Sequence, residues 1–475
     1  MTAIRWRRER CSSGFALRHN EDRAIGSAII LVFRQDELTG KYEAVRSTLF
    51  IIGVALATVG PGARGQQAPQ VGCEAAYYRL SDGSGIDIAP STAGHFRWRR
   101  PDGTTGLLSS RGNGVWDSST GWTERPDGKT VDLSHCANGS IKFNGDHGTR
   151  LPFTVASSSF SSDGVQLAGR LILPSGSAHV PVVVLVHGSE DSSALETYAL
   201  QRMLPAQGVG VFVYDKRGTG KSAGAFTHDI RQLARDAKRA LAAAKELAGR
   251  RGARFGYYGT SQGGWTAPLA ATQTRVDFVI IGYGLAVSPM QEDAEALEQD
   301  MIRHGFGQAE IVKAKEVGSA AQAIVRARFR EGYESLRAVV GKYEKEPWFP
   351  YLHGNVTGFI IKTPEAELRQ QGPRLLAGII PDYDPMPVLT SLRTPQLWIL
   401  GGEDLEAPLR ETYRRLTMLK RSGRPISIKV YPHVEHGLYE FEVRGDKRLS
   451  TRQPASLQPL IVAFAKGQKA RTIDD

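Results

Sequence analysis

Between Phe255 and Trp265 the chain reads Phe-Gly-Tyr-Tyr-Gly-Thr-Ser-Gln-Gly-Gly-Trp, an apolar run ending in Gly259-Thr260-Ser261-Gln262-Gly263, and a helix-forming stretch over 265–272 follows at once. A strand that becomes a helix across a single residue forces that residue into strained backbone angles. It also leaves room only for glycine two positions to either side. Such a turn sets the Ser261 hydroxyl at the carboxyl edge of a sheet. The N–H of Gln262, at the start of the helix, then points where a carbonyl oxygen would gain negative charge, and the helix dipole adds to that field. In a chain with 52 glycines the five-residue pattern alone has low specificity. Its weight comes from what stands before and after it.

Before it, Val165–Leu173 alternates like a half-exposed strand, and Val180–Val186 is a continuous apolar run of the kind buried on both faces of a parallel sheet. Helical spacing over 194–206, a strand at Val209–Tyr214 and a helix over 229–249 lead into the strand that ends at Ser261. A strand at Val276–Ile281 follows. After a gap, alternation resumes with Gln396–Leu400, a helix over 408–421, Ile426–Tyr431 and a helix over 454–467. The order predicts an α/β fold with a doubly wound, mostly parallel sheet over 151–286 and 386–475. Residues 287–385 break the alternation with helical stretches (291–303, 309–343 and 365–376) and with Trp348, Phe349, Tyr351 and Phe359 between them. They read as an inserted helical cap whose aromatic residues would close over Ser261. Residues 73–150 carry short alternating stretches split by Asp82-Gly83, Pro101-Asp102-Gly103, Pro126-Asp127-Gly128 and Asn144-Gly145, which predicts a small antiparallel β domain. Within it Phe96–Gly103 and Gly121–Gly128 resemble each other and suggest one hairpin used twice. His95, His135 and His147 lack ligand spacing there, so no metal site is expected.

Residues 1–72 read as leader. Lys41 and Arg46 precede the apolar run Leu49–Val59, and Pro61 with small and polar residues follows, which is the layout of a secretory signal. Eleven apolar residues are too few to span a bilayer, which needs about twenty, so no membrane span is expected. The run lies far from Met1, which fits a start of translation near Val45. Of three cysteines Cys11 would leave with the leader, and the even pair left, Cys73 and Cys136, is expected to form a disulfide in an extracytoplasmic, periplasmic or secreted protein. The net charge is +11. Residues 1–65 hold ten Lys/Arg against six Asp/Glu and so account for +4. The remaining +7 is scattered, which reads as solvated surface and not as a nucleic-acid site.

A serine hydroxyl needs a base, and the base needs a carboxylate to fix its tautomer. Beyond the strand ending at Leu400 lies Gly401-Gly402-Glu403-Asp404-Leu405-Glu406, and beyond Tyr431 lies Pro432-His433-Val434-Glu435-His436-Gly437. The order serine, acid, histidine is the one an open α/β sheet requires. Asp404 is preferred to Glu403 and Glu406, which are expected to face solvent, because Pro408 starts the next helix. His436 is preferred to His433 because Gly437 lets its ring approach the cleft. A second donor to the oxyanion is expected from the loop His187-Gly188-Ser189, at the backbone N–H of Ser189 or of Glu190, with the His187 ring only bonding loop backbone. Asp215-Lys-Arg-Gly-Thr-Gly-Lys-Ser222 ends like a phosphate loop, but that pattern requires glycine at 215. A carboxylate there excludes a nucleotide site.

Taken together, His187-Gly-Ser, Asp215–Ser222, Gly259–Trp265, Gly-Glu-Asp404 and His436-Gly resemble the α/β-hydrolase superfamily, in its serine-hydrolase branch with bacterial esterases and prolyl-oligopeptidase-like catalytic domains. The resemblance covers about 151–470. It implies Ser261 as nucleophile, His436 as base, Asp404 as acid and oxyanion donors at Gln262 and Ser189, with no cofactor. Two departures bear on substrate: Glu190-Asp191 stands where many relatives have small residues, and simple esterases have no counterpart of 73–150. The function expected is hydrolysis of a small ester through an acyl-enzyme. Cleavage of short peptides on the same triad, with Glu190 and Asp191 anchoring an amino terminus, is the alternative, and a non-catalytic binding protein of the same fold is another.

Overall fold

In a computed structural model, residues 72–91, 94–445 and 447–468 are described. The leader expected at the amino end, with its apolar run 49–59, lies outside them. Among the described residues no helix is long and apolar enough to cross a membrane.

Short alternating strands with glycine turns close the first region into an antiparallel barrel. Its strands are β1 (Ala76–Leu80), β2 (Gly85–Pro90), β3 (Phe96–Arg99), β4 (Thr105–Gly112), β5 (Val115–Thr120), β6 (Pro126–Asp132), β7 (Ser140–Phe143) and β8 (Asp146–Arg150). Each pairs with the next and β8 pairs back to β1, so no edge is left to aggregate. Tyr78, Ile86, Ile88, Trp98, Leu108 and Val131 fill the interior, and Trp98 Nε1 donates to Ser118 Oγ at 2.7 Å. Cys73, just before β1, is disulfide-bonded to Cys136, between β6 and β7.

The two similar segments of this region are not one hairpin used twice. In both, the aspartate accepts from the backbone N–H two residues on, Asp102 from Thr104 at 2.9 Å and Asp127 from Lys129 at 3.0 Å. The first copy forms the turn between β3 and β4. The second lies within β6, where Asp127 also takes the Ser118 hydroxyl at 3.1 Å and the register with β5 slips. The local turn is encoded twice, and the strand partners decide what it becomes.

The main sheet is built from β9 (Phe153–Ser162), β10 (Val165–Pro174), β11 (Val180–Val186), β12 (Gly210–Tyr214), β13 (Gly252–Thr260), β14 (Phe278–Gly282), β15 (Gln396–Gly401) and β16 (Ile426–Tyr431). Their order is β16-β15-β14-β13-β11-β12-β10-β9. Strands β11 to β16 run parallel, and β10 and β9 are antiparallel at one edge. Because side chains alternate along a strand, Val182, Val184 and Val186 enter one core and Val183 and Leu185 the other. Each fully buried side chain of this size contributes about 1.5–3 kcal/mol. The first face is covered by a helix over Ile230–Ala248, whose alanines 234, 237, 240 and 244 let it lie close to the sheet. Asp229 caps it by accepting from the N–H groups of Arg231 and Gln232. The expected helix over 194–206 is instead two four-residue helices, Ala194–Thr197 and Leu200–Met203, and a turn at Pro205–Gln207. Tyr198 is extended there, and Pro205 has no N–H to continue a helix.

Between β14 and β15 lie the helices Pro289–Arg303, Gln308–Arg326, Tyr333–Tyr343, Thr357–Lys362, Glu365–Leu375 and Met386–Ser391. The stretch read as helical over 309–343 breaks at Arg328 and Phe329, which take positive φ (53° and 61°) so that the Phe329 ring can be buried. The region is tied by the buried Asp293 carboxylate. It accepts from the N–H groups of Val356 (2.7 Å) and Thr357 (3.0 Å), the Thr357 hydroxyl (2.7 Å) and Gln322 Nε2 (2.9 Å). Of the aromatic residues between the cap helices, Trp348 is turned inward. It is buried inside the cap against the Tyr343 ring, and Phe349 packs beside it.

After β16 the chain adds β17 (Val434–Glu435), β18 (Tyr439–Arg444) and β19 (Lys447–Arg452), a small sheet that the sequence reading missed. This hairpin is seamed to the barrel. Trp122 N–H donates to the Ser450 carbonyl (2.8 Å), Gln453 N–H to the Gly103 carbonyl (2.9 Å) and Arg452 to the Asp102 carbonyl (2.6 Å). The Trp122 and Tyr439 rings pack edge-on at 4.5 Å, and a Cβ at Gly103 would fall 1.9 Å from the Gln453 oxygen. A second tie is buried: Arg202 forks onto Asp87 of β2 at 2.6 and 3.0 Å.

The disulfide closes a loop of 63 positions, which corresponds to about 4 kcal/mol in the loop-entropy picture. Reduction, or Cys136→Ala, is expected to lower the urea midpoint of barrel unfolding to the same extent. A midpoint that does not move in either case would show that the bond adds nothing to stability.

Candidate active site

Three successive loops at the carboxyl edge of the sheet carry the site. Ser261 follows β13, sits at φ 49°, and joins that strand to a helix over Gly263–Thr272. The tightness of this elbow is visible in its glycines. A Cβ at Gly259 would fall 2.2 Å from the Gly263 oxygen, and one at Gly263 would fall 2.2 Å from the Val186 oxygen. Strand, helix and neighbouring β11 are thus pressed together, and Ser261 N–H bonds the Gly282 carbonyl at 3.1 Å.

Asp404 lies beyond β15 and is almost fully buried. One of its oxygens accepts from the N–H groups of Glu406 (2.9 Å) and Ala407 (2.8 Å), which fixes the loop ahead of the helix Leu409–Arg421. His436 lies beyond β16, and its Nδ1 donates to Asp404 at 3.0 and 3.1 Å. The Tyr283 ring packs edge-on against the imidazole at 4.7 Å. The competing pair resolves at the surface. His433, with 89% of its side chain exposed, bonds Glu403, which also binds Arg448. The Ser261 hydroxyl makes no hydrogen bond among the described residues.

What faces the other imidazole nitrogen is Glu406, expected in solvent but found with Oε2 3.7 Å from His436 Nε2. Above it the cap contributes Asn355, whose Nδ2 donates to Glu292 Oε1 and to the Glu406 carbonyl, each at 2.8 Å. The cleft is therefore walled by carboxylates that remain partly open to water, Glu406 with 40% of its side chain exposed. Burial pushes Glu292 and Glu406 up from the ordinary carboxylate range. For His436 burial alone would favour the neutral ring, but Asp404, Glu406 and Glu292 outweigh it and push its pKa up to about 10. Glu292 left no trace in sequence, because its place beside His436 depends on how the cap folds down over the acid loop.

Among the described residues the two N–H groups expected to face an oxyanion are unengaged: neither Gln262 N–H nor Ser189 N–H donates to any acceptor. A Cβ on Gly188 would lie 3.2 Å from Ser261 Cβ, so the loop passes close to the serine where it carries no side chain. The His187 ring bonds the Tyr214 carbonyl at 2.5 Å through Nε2, and burial holds its pKa down at about 3. Asp215 is held by its own loop and by the segment after β11. It accepts from Ser193 Oγ (2.8 Å) and from the N–H groups of Leu195 (3.1 Å) and Lys221 (2.8 Å), so a carboxylate occupies the place a phosphate would take.

Residues 177–315 match the profile of a family described as serine aminopeptidase, S33. With the parallel order of β11 to β16 and the serine on its elbow, that match decides the fold. The domain has the α/β-hydrolase fold, and over 177–315 it is similar to the serine-hydrolase branch. One curated relative, the acylamino-acid-releasing enzyme of Mus musculus, is 31% identical over 70 residues, which is 15% of this chain and 10% of that protein. Among solved structures, the acylaminoacyl peptidase of Pyrococcus horikoshii is 15% identical (TM-score 0.43; 83% of this chain and 58% of that one). A hyperthermophilic esterase of Pyrobaculum calidifontis is 17% identical (TM-score 0.40; 66% and 85%). In this fold the Asp404–His436 contact crosses from the loop of one parallel strand to that of its neighbour, as the pairing of β15 with β16 requires.

Because the ring becomes neutral only as pH rises through its raised pKa, His436 is expected to keep both ring protons well above neutral pH. Removing the charge 3.7 Å away is worth about 1 kcal/mol in water-like surroundings, so Glu406→Gln should move the midpoint down by somewhat less than one pH unit. The pH dependence of the His436 ring in ¹⁵N-histidine NMR reads this directly. An unchanged or higher midpoint in the variant would contradict the arrangement.

Proposed function

We propose that this serine hydrolase cleaves small carboxylic esters through an acyl-enzyme. Ser261 attacks the carbonyl carbon while His436 Nε2 takes the hydroxyl proton, and Asp404 steadies the imidazolium through Nδ1–H. The oxyanion is held by the N–H groups of Gln262 and Ser189. His436 then gives the proton to the leaving alkoxide, and water repeats the cycle on the ester of Ser261. The observation that carries the reading is the buried Asp404 carboxylate on His436 Nδ1 at 3.0 Å, at the edge where Ser261 stands at φ 49°. For Nε2 to accept that proton the ring must first lose the one it holds toward Glu406 and turn to Ser261, so ester turnover is expected to rise toward alkaline pH as His436 becomes neutral through its raised pKa. We place the protein outside the cytoplasm, a reading supported by the Cys73–Cys136 bond and the signal-like run 49–59.

A second reading, removal of residues from the amino end of short peptides, is favoured by the charge of the cleft. Glu406 and Glu292 lie at the imidazole. Glu190, held by the Tyr198 hydroxyl, places an oxygen beside Gly188 next to Ser261. Such a wall would attract a protonated amine.

The wild-type protein is expected to be labelled by a fluorophosphonate and to turn over p-nitrophenyl acyl esters faster than aminoacyl anilides. Ser261→Ala should abolish labelling and lower ester turnover at least about 10³-fold. Faster anilide turnover would establish the peptidase reading, and absence of labelling would leave a non-catalytic fold.

A further inference from the structure

The Asp215–Ser222 segment, shown above to be no phosphate loop, carries a lysine in an unusual place. Lys216 is almost fully buried, and its ammonium donates to the Gly188 carbonyl at 2.7 Å. Desolvating an ammonium costs several kcal/mol unless it is compensated, and burial brings this one down to a pKa of about 8, with Glu190 and Asp191 acting in the opposite sense. The carbonyl it holds is not an arbitrary one. A trans peptide is planar, with C=O and N–H pointing to opposite sides. The C=O of Gly188 shares its plane with the N–H of Ser189, and that N–H has no acceptor among the described residues.

We propose that Lys216 is a positioning residue for catalysis: by gripping the Gly188 carbonyl from behind, it aims the Ser189 N–H at the oxygen that gains charge when Ser261 attacks. The grip also polarises the peptide and makes its N–H a better donor. The inference rests on the serine-hydrolase reading and deepens it. The same segment also reaches the side chain of Gln262. His228 Nε2 donates to the Leu375 carbonyl at 3.1 Å, which leaves Nδ1 to accept from Gln262 Nε2 at 3.0 Å. That assignment needs a neutral ring, and burial beside Lys216 holds His228 down at about 4. The Phe226 ring lies between these two supports, 4.9 Å from the ammonium and 5.0 Å from the His228 ring. One segment from 215 to 228 thus holds the Gly188 carbonyl and the Gln262 side chain.

The test compares wild type, Lys216→Met and Lys216→Gln on p-nitrophenyl butyrate and for inhibition by a trifluoromethyl ketone, which forms a tetrahedral adduct. Lys216→Met should lower kcat about 10- to 100-fold, short of the full loss of an oxyanion donor, with KM little changed and ketone affinity reduced by the same factor. Lys216→Gln, which keeps a neutral donor, should recover part of both. Lys221→Met, on the same loop but exposed, should match wild type. If the methionine variant does not fold, the glutamine variant is compared with wild type alone and should show the smaller paired loss. Values of kcat and ketone affinity within about threefold of wild type, or a loss confined to KM, would overturn the proposal. Wild type that reacts with neither ester nor fluorophosphonate would instead remove the hydrolase reading and this inference with it.

Discussion

The structure is organised by one steric constraint: a strand must give way to a helix within a single residue while both stay packed on the neighbouring strand. Gly259 and Gly263 permit it because no side chain fits between the Gly263 oxygen, the Val186 oxygen and the backbone of the elbow. Ser261 takes the resulting left-handed conformation, and the flanking order, with Ser261 N–H on the Gly282 carbonyl, holds it there. Two things follow without further design. The hydroxyl leaves the sheet at its carboxyl edge, and the next N–H opens a helix with no acceptor of its own.

Around that point the protein accumulates negative charge on one side and unengaged N–H groups on the other. Asp404 would suffice to orient His436. Glu406 and Glu292 add to the stabilisation of the imidazolium that Asp404 provides. The cap brings Glu292 through Asn355, which also binds the backbone of the acid loop, so the cap and the electrostatics of the imidazole are set by the same contact. Movement of the cap would change the basicity of His436 as well as access to it.

Much of this was legible in the sequence for a plain reason. The doubly wound sheet announces itself through continuous apolar runs such as Val180–Val186, whose burial on both faces leaves little choice of partner. The elbow and the loops at 404 and 436 are signalled by glycines and by order along the chain. What failed depended on partners remote in sequence. Glu406 was read as solvent-facing because nothing nearby in sequence says that an imidazole lies across from it. Spacing along the cap does not say which of its aromatic residues turn inward, and Trp348 lies inside the cap against Tyr343. The second Pro-Asp-Gly kept its local turn and lost its hairpin, since β5 and β6 set its surroundings. The hairpin of β18 and β19 went unread because its strands are half-exposed and charged, without a clean alternation.

The seam between barrel and hairpin bears on what counts as a unit in this chain. Gln453, whose N–H meets the barrel at Gly103, turns its side chain to the Gly437 carbonyl at 3.0 Å, one residue past the imidazole, and Ser450, whose carbonyl meets Trp122, holds Glu435 at 2.5 Å, one residue before it. The barrel is therefore two bonds removed from His436 on either side. A cut at residue 150 that looks natural on a domain map would strip the backing from the histidine's own loop. Neither half could be exchanged for a different part without carrying the matching face along.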